Sequence, residues 1–130
     1  MSLARRAPRR DDNESDIVLA LLGTIVPKCK SVDGCRCGVS VQSLSGSPGL
    51  VDLLVGMTWS RDGMLEESAN ELVEVKNRDG KGVKLTPDQK LWHRTWRGRE
   101  AFLIETAEEV PALVGCIMGL ANVVPFRRAK

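Results

Sequence analysis

The sequence predicts an α/β fold, with a central mixed β-sheet flanked by helices in the order αβββαβ and a last apolar helix. Three observations carry that expectation. Two helix-opening signatures, TPDQ at 86–89 and TAEE at 106–109, place helices late in the chain. Two apolar runs of strand length, LVDLLVG at 50–56 and ELVEVK at 71–76, lie before them. Helical and strand-like patterns then alternate, as in a sheet with helices on its faces.

The chain has 130 residues, which suits one domain with a real core. Its content of 42% hydrophobic and 28% charged residues excludes a disordered or fibrous chain. Net charge is only +2, too weak to point to nucleic acid by itself, but ARRAPRR at 4–10 and RRAK at 127–130 concentrate it at the ends. We therefore expect a flexible basic tail at 1–11, a domain at 12–122 and a second basic tail at 123–130. The Arg-rich start lacks the apolar stretch of a secretory signal, and the uncharged run at 110–126 is broken by Pro and Gly. Both features lead to the expectation of a cytoplasmic protein without a membrane span.

Taken in order, DNESDIVLALLG at 12–23 reads as a helix. Asp12 or Asn13 caps it, Gly23 stops it, and Ile17, Ala20 and Leu21 form its stripe, widened by Val18 and Leu22. Residues 24–28 and 38–44 look β-like, on either side of a Cys/Gly turn. Residues 45–49 read as a loop, 50–56 as a buried strand, 58–70 as a polar loop and 78–82 as another loop. Thr86, Pro87 and Gln89 open the next helix, which carries Leu91, Trp92 and Trp96 inward and ends at Gly98. A strand at 101–105 follows, then the final helix from the 106–109 signature, with Pro111 near its start.

Three of the four cysteines crowd into CKSVDGCRC at 29–37. The C-x5-C-x-C spacing departs from paired zinc-ligand units, and a fourth ligand would have to be Cys116 or His93. Reduced thiols in a turn are the plainer reading, and zinc stays open beside it.

The chemistry centres on two anomalies. In an extended strand side chains alternate, so Glu74 and Lys76 share one face and Val73 and Val75 the other. Asp52 interrupts an otherwise apolar run, and burying a carboxylate demands a partner. Two strand-borne carboxylates with a lysine beside them suit a divalent cation with hard oxygen ligands, such as Mg²⁺. The alternative is a buried Asp52–Lys76 ion pair with no further task.

With Asp52 followed by Glu74-Val75-Lys76 and then a helix opening on Gln89, the chain resembles the PD-(D/E)xK nuclease superfamily, in particular its small virus-type and Holliday-junction-resolvase-like members. The resemblance covers about residues 12–110. It implies a restriction-endonuclease-like core and an endonuclease, of phage type, that hydrolyses DNA phosphodiester bonds with little sequence specificity or on branched structures. It implies that Asp52, Glu74 and the Val75 carbonyl hold Mg²⁺, with Mn²⁺ as a substitute, and that Lys76 orients the attacking water. Glu14 on the first helix would add a ligand, or serve only as an acid favoured at a helix N-terminus. Gln89 would join the site, or only complete its capping box. Val51 stands where the family commonly has proline.

His93 shares a helical face with Gln89 but is not needed by such a site, and a packed or surface role is the simpler one. Trp92 and Trp96 read as core, and Arg94, Arg97 and Arg99 as phosphate contacts or solvated charges. DNA, branched or duplex, is the expected partner, and the apolar last helix suggests a homodimer. The rival readings are a non-catalytic DNA-binding module and a zinc-stabilised interaction protein.

Overall fold

The computed structural model describes residues 13–30, 35–44, 50–76, 86–120 and 125–128. The N-terminal tail at 1–11, Asp12 and the loops expected at 45–49 and 78–82 lie outside them.

Helix α1 (Glu14–Leu22) buries Ile17 and Leu21, one turn apart, while Val18 and Ala20 pack at the margin. Leu22 is exposed, so the stripe is narrower than expected. Asn13 is the N-cap residue, but its side chain does not cap the helix. Its Nδ2 donates instead to the carbonyls of Lys76 and Glu105, tying α1 to the ends of two strands.

Strands β1 (Gly38–Ser43), β2 (Leu53–Ser60) and β3 (Glu66–Val75) run as an antiparallel meander. The chain then passes through α2 (Pro87–Thr95) to β4 (Phe102–Ile104), which pairs parallel with β3. The result is a mixed sheet of order β1-β2-β3-β4.

The segment 58–70, expected as a loop, is instead the far half of the β2–β3 hairpin. Its polar residues pair across the strands: Thr58 and Ser68 hydroxyls lie 2.9 Å apart, and Arg61 meets Glu67 at 2.7 Å. Polarity there marks a wet sheet face. Asp62 forms the tight turn, its Oδ1 accepting from the amides of Met64 and Leu65 at 2.8 and 2.9 Å. Residues 24–28 form no strand, although the Pro27 carbonyl accepts from the Ser60 amide at 2.9 Å.

Strand alternation divides the apolar residues between two faces. Val73, Val75, Phe102 and Ile104 join β2 side chains, α1 and α3 (Val110–Met118) in the main core. Leu72 and Leu103 turn the other way, into a smaller cluster with Val51, Ala101 and Trp92 of α2. That cluster is too small to cover α2, which buries no residue completely. Leu91 and Trp96, expected inside, are 50% and 46% exposed. Trp96 stacks on Trp92 with ring centroids 4.9 Å apart.

Of the segment read as a C-terminal tail, residues 125–128 lie against β4. The Leu103 amide donates to the Arg127 carbonyl at 3.0 Å, and Phe126 meets Phe102 edge-on. The apolar side of α3 is buried in the chain's own core through Val110, Leu113, Val114 and Met118. Its apolarity therefore needs no second subunit to explain it.

A 3₁₀ turn, Ala107–Glu109, precedes α3 and carries the predicted capping box. Gly119 ends the helix at φ 69°, ψ 33°, in the left-handed region that a Cβ disfavours. Gly119→Ala is expected to lower stability by about 1 kcal/mol, read as a lower urea midpoint at unchanged m-value. The described helices include none long and apolar enough to cross a membrane.

Candidate active site

The β2–β3 ladder closes at the pair Leu53–Val73, and the next residues outward are Asp52 and Glu74. Asp52 sits in a bend just before β2 rather than inside the strand. Val51 and Leu53 are both fully buried but belong to different clusters, which strict alternation would forbid. The bend at Asp52 makes that switch of face. Its Oδ2 accepts from the Val75 amide at 2.7 Å, so the carboxylate is pinned to the strand that carries Glu74 and Lys76.

Glu74 is fully buried. Its Oε2 receives Gln89 Nε2 at 2.7 Å and Lys76 Nζ at 3.2 Å. Its Oε1 faces His93 Nε2 at 3.8 Å, beyond hydrogen-bonding distance. Helix α2 thus presents two residues one turn apart, Gln89 and His93, to the two oxygens of one carboxylate.

Gln89 caps its helix and at the same time contacts Lys76 and Glu74. Its Oε1 accepts from the Thr86 amide at 2.9 Å, completing the capping box, and also from Lys76 Nζ at 3.1 Å. Its Nε2 is left to serve Glu74. The helix cap therefore fixes the side chain that bridges the acid and the ammonium. Lys76 retains only 14% side-chain exposure in this setting.

His93 is pulled in opposite directions. Burial and then the Lys76 ammonium push its pKa below the ordinary 6.5, and Glu100 raises it. The Glu74 carboxylate also favours imidazolium, but it is already engaged by Lys76 and Gln89, and burial prevails. The unfolded chain then binds a proton at His93 near pH 6.5 while the folded chain does not. Stability contributed by the neutral imidazole is present above pH 6.5 and is lost as pH falls towards the depressed folded value. A His93→Gln variant is expected to lose that portion of the acid destabilisation, measured as Tm against pH beside the native chain.

Glu14 lies buried in the first turn of α1, next to the residue that binds the Lys76 carbonyl. With Asp52 and Glu74 it forms no group in which all ligand atoms lie within 4.8 Å of one another. Among the described residues, the group of His, Cys, Asp or Glu side chains whose ligand atoms all lie within 4.8 Å of one another is Cys29, Cys35, Cys37 and Glu66. Neither Cys116 nor His93 joins those cysteines, as the spacing had suggested. Cys116 accepts from the Phe126 amide, and His93 stands beside Glu74.

Sequence reasoning missed a third buried acid. Glu71 is ion-paired with Arg99 at 3.0 Å and Arg128 at 3.6 Å, so Arg99 has a partner within the chain. Its signal was the period-two register that sets Glu71 on the same strand face as the buried Val73 and Val75. The broad groove between α1 and α3, lined by residues such as Ala20, Ile25 and Val114, is apolar and contains none of the residues around Glu74.

No protein-family model matches this chain, and no curated protein or solved structure matches it significantly.

Proposed function

We propose that this protein is a metal-dependent endonuclease that hydrolyses DNA phosphodiester bonds, with a restriction-endonuclease-like core and little sequence specificity or a preference for branched DNA. The observation that carries the reading is the convergence of Lys76 and Gln89 on Glu74 Oε2, one residue beyond the strand pair that sets Asp52 alongside.

The donor set fits a hard divalent cation. Asp52, Glu74 and the Val75 carbonyl offer only oxygen, which suits Mg²⁺ or Mn²⁺. Asp52 is already oriented by the Val75 amide. Because Glu74 is fully buried, the His93 ring must turn aside from Oε1 before this carboxylate can meet an ion, while Gln89 stays in its cap. Such an ion, when bound, polarises the phosphoryl group and lowers the pKa of the attacking water.

The chain's own residues supply the rest. Lys76 releases Glu74 Oε2, orients the water and offsets the negative charge that develops on the phosphoryl oxygens. Gln89, held at the helix start by Thr86, limits where the ammonium can point. Glu14, at the start of α1, remains a positioning candidate only.

One observation favours a second reading. Glu74 is neutralised within the chain, as in a structural ion pair supporting a non-catalytic DNA-binding module. Incubation with branched, duplex and single-stranded DNA separates the two. The nuclease cuts at least one substrate in Mg²⁺ or Mn²⁺ and none in EDTA, whereas a binding module leaves all of them intact.

A further inference from the structure

We propose that Cys29, Cys35, Cys37 and Glu66 form a structural zinc site at the end of the sheet opposite Glu74. It is independent of the nuclease reading. Glu66 and Glu74 lie near opposite ends of β3, about 26 Å apart at the usual rise of a strand.

Three separate segments bring the ligands together. Cys29 comes from the connection after α1, Cys35 and Cys37 from the approach to β1, and Glu66 from the first residue of β3. Their ligand atoms lie within 4.8 Å of one another. In a tetrahedral zinc–thiolate site neighbouring sulfurs are about 3.8 Å apart, so a shift of about 1 Å closes the shell. A set of three thiolates and one carboxylate is soft enough to select zinc over Mg²⁺.

The surrounding backbone holds these residues in place. On either side of Cys29, the Pro27 carbonyl accepts from Ser60 at 2.9 Å and the Lys30 amide donates to Gly63 at 2.7 Å. Glu66 Oε2 accepts from the Arg36 amide at 3.2 Å, which sets the carboxylate between the cysteines, and the Cys29 thiol approaches the same oxygen at 3.8 Å. Gly38, at φ 155°, turns the chain into β1 directly after Cys37. None of the four cysteines is in a disulfide. Lys28, Lys30 and Arg36 flank the ligands in sequence.

Spacing alone could not identify the fourth ligand, because Glu66 reaches the cysteines only through the β2–β3 hairpin. Zinc there would clamp the α1–β1 connection to that hairpin.

The test titrates reduced, metal-stripped protein with Co²⁺ and then Zn²⁺. One Co²⁺ per chain is expected, with thiolate charge-transfer bands and the strong visible absorption of a tetrahedral centre, all removed by one equivalent of Zn²⁺. Cys35→Ser is expected to weaken the charge-transfer bands and the cobalt affinity, and Cys116→Ser to keep both. Alkylation of the unsubstituted chain gives a check that does not depend on variant folding. Zinc is expected to protect Cys29, Cys35 and Cys37 and to leave Cys116 no better protected. A weak octahedral cobalt spectrum, or alkylation of all four thiols at the same rate with and without zinc, would overturn the site.

Discussion

In a Lys76→Ala variant, Mg²⁺ is expected to restore part of the stability that the substitution removes, while cleavage stays lost. Without Lys76, the buried Glu74 carboxylate keeps the Gln89 amide but loses its neutralising ammonium. Breaking a buried ion pair by removing one partner costs about 3–5 kcal/mol. The lower end applies here, because Lys76 is 14% exposed and water can partly replace it. A divalent cation between Glu74 and Asp52 would supply the missing positive charge. It would also bind more tightly in the absence of a nearby ammonium. The Tm increase on adding Mg²⁺ should therefore be larger in Lys76→Ala than in the native chain, and the single-turnover rate lower by about 100-fold or more. Glu74→Ala should lose stability as well, with no recovery in Mg²⁺, because the ligand itself is gone. Equal Mg²⁺ responses in all three proteins would leave Glu74 and Lys76 as a structural pair.

The largest effect on stability is expected from Phe102→Ala. Phe102 is 1% exposed on β4, pairs with Val73 across the parallel step and meets Phe126 with ring centroids 6.1 Å apart. The Arg128 guanidinium lies 3.8 Å from the centre of its ring and reaches on to Glu71. Removing the ring opens a cavity in the main core and takes away the surface against which 125–128 pack. A loss of about 3–5 kcal/mol is expected from the cavity alone. That is a large part of the stability of a domain this size. Arg128→Ala, which keeps the core and removes only the cation over the ring, should lose much less. Urea unfolding followed by Trp fluorescence measures both. Similar midpoints for the two variants would mean that the C-terminal segment, not the ring, holds β4 in place.

The sheet end around Glu74 was legible because its signals are local. Alternation in ELVEVK sends Val73 and Val75 into the core and Glu74 to the other face, where it meets Lys76. The TPDQ pattern placed Gln89 at the third helical position, and a capping geometry there turns its amide towards the strand that precedes the helix. Asp52 was visible as a charge among apolar residues. That it occupies a bend, and that the bend switches the buried face between Val51 and Leu53, depends on packing from both sides of the sheet.

Longer-range features were hidden. The hairpin continues through 58–70 because cross-strand partners such as Thr58 and Ser68 satisfy one another, and a polar strand reads as a loop when its partner is unknown. Trp96 looked like core because it lies one turn from Trp92, yet the cluster beneath α2 is too small to bury both. Arg128 looked like tail because its partners, Glu71 and the Phe102 ring, belong to distant strands. Glu66 was one acid in a polar run until the hairpin set it beside Cys29.

The most direct test of the proposed hydrolytic centre is the single-turnover cleavage rate of Asp52→Asn in Mg²⁺ at saturating DNA, compared with the native chain. Asparagine keeps the size of the side chain and an oxygen that can accept from the Val75 amide, so the fold and its Tm should be nearly unchanged. The substitution removes the charge and turns the other carboxylate oxygen into an amide nitrogen. The account predicts that cleavage falls by about 100-fold or more with DNA affinity retained. A folded Asp52→Asn protein that cuts DNA at the native rate would contradict it.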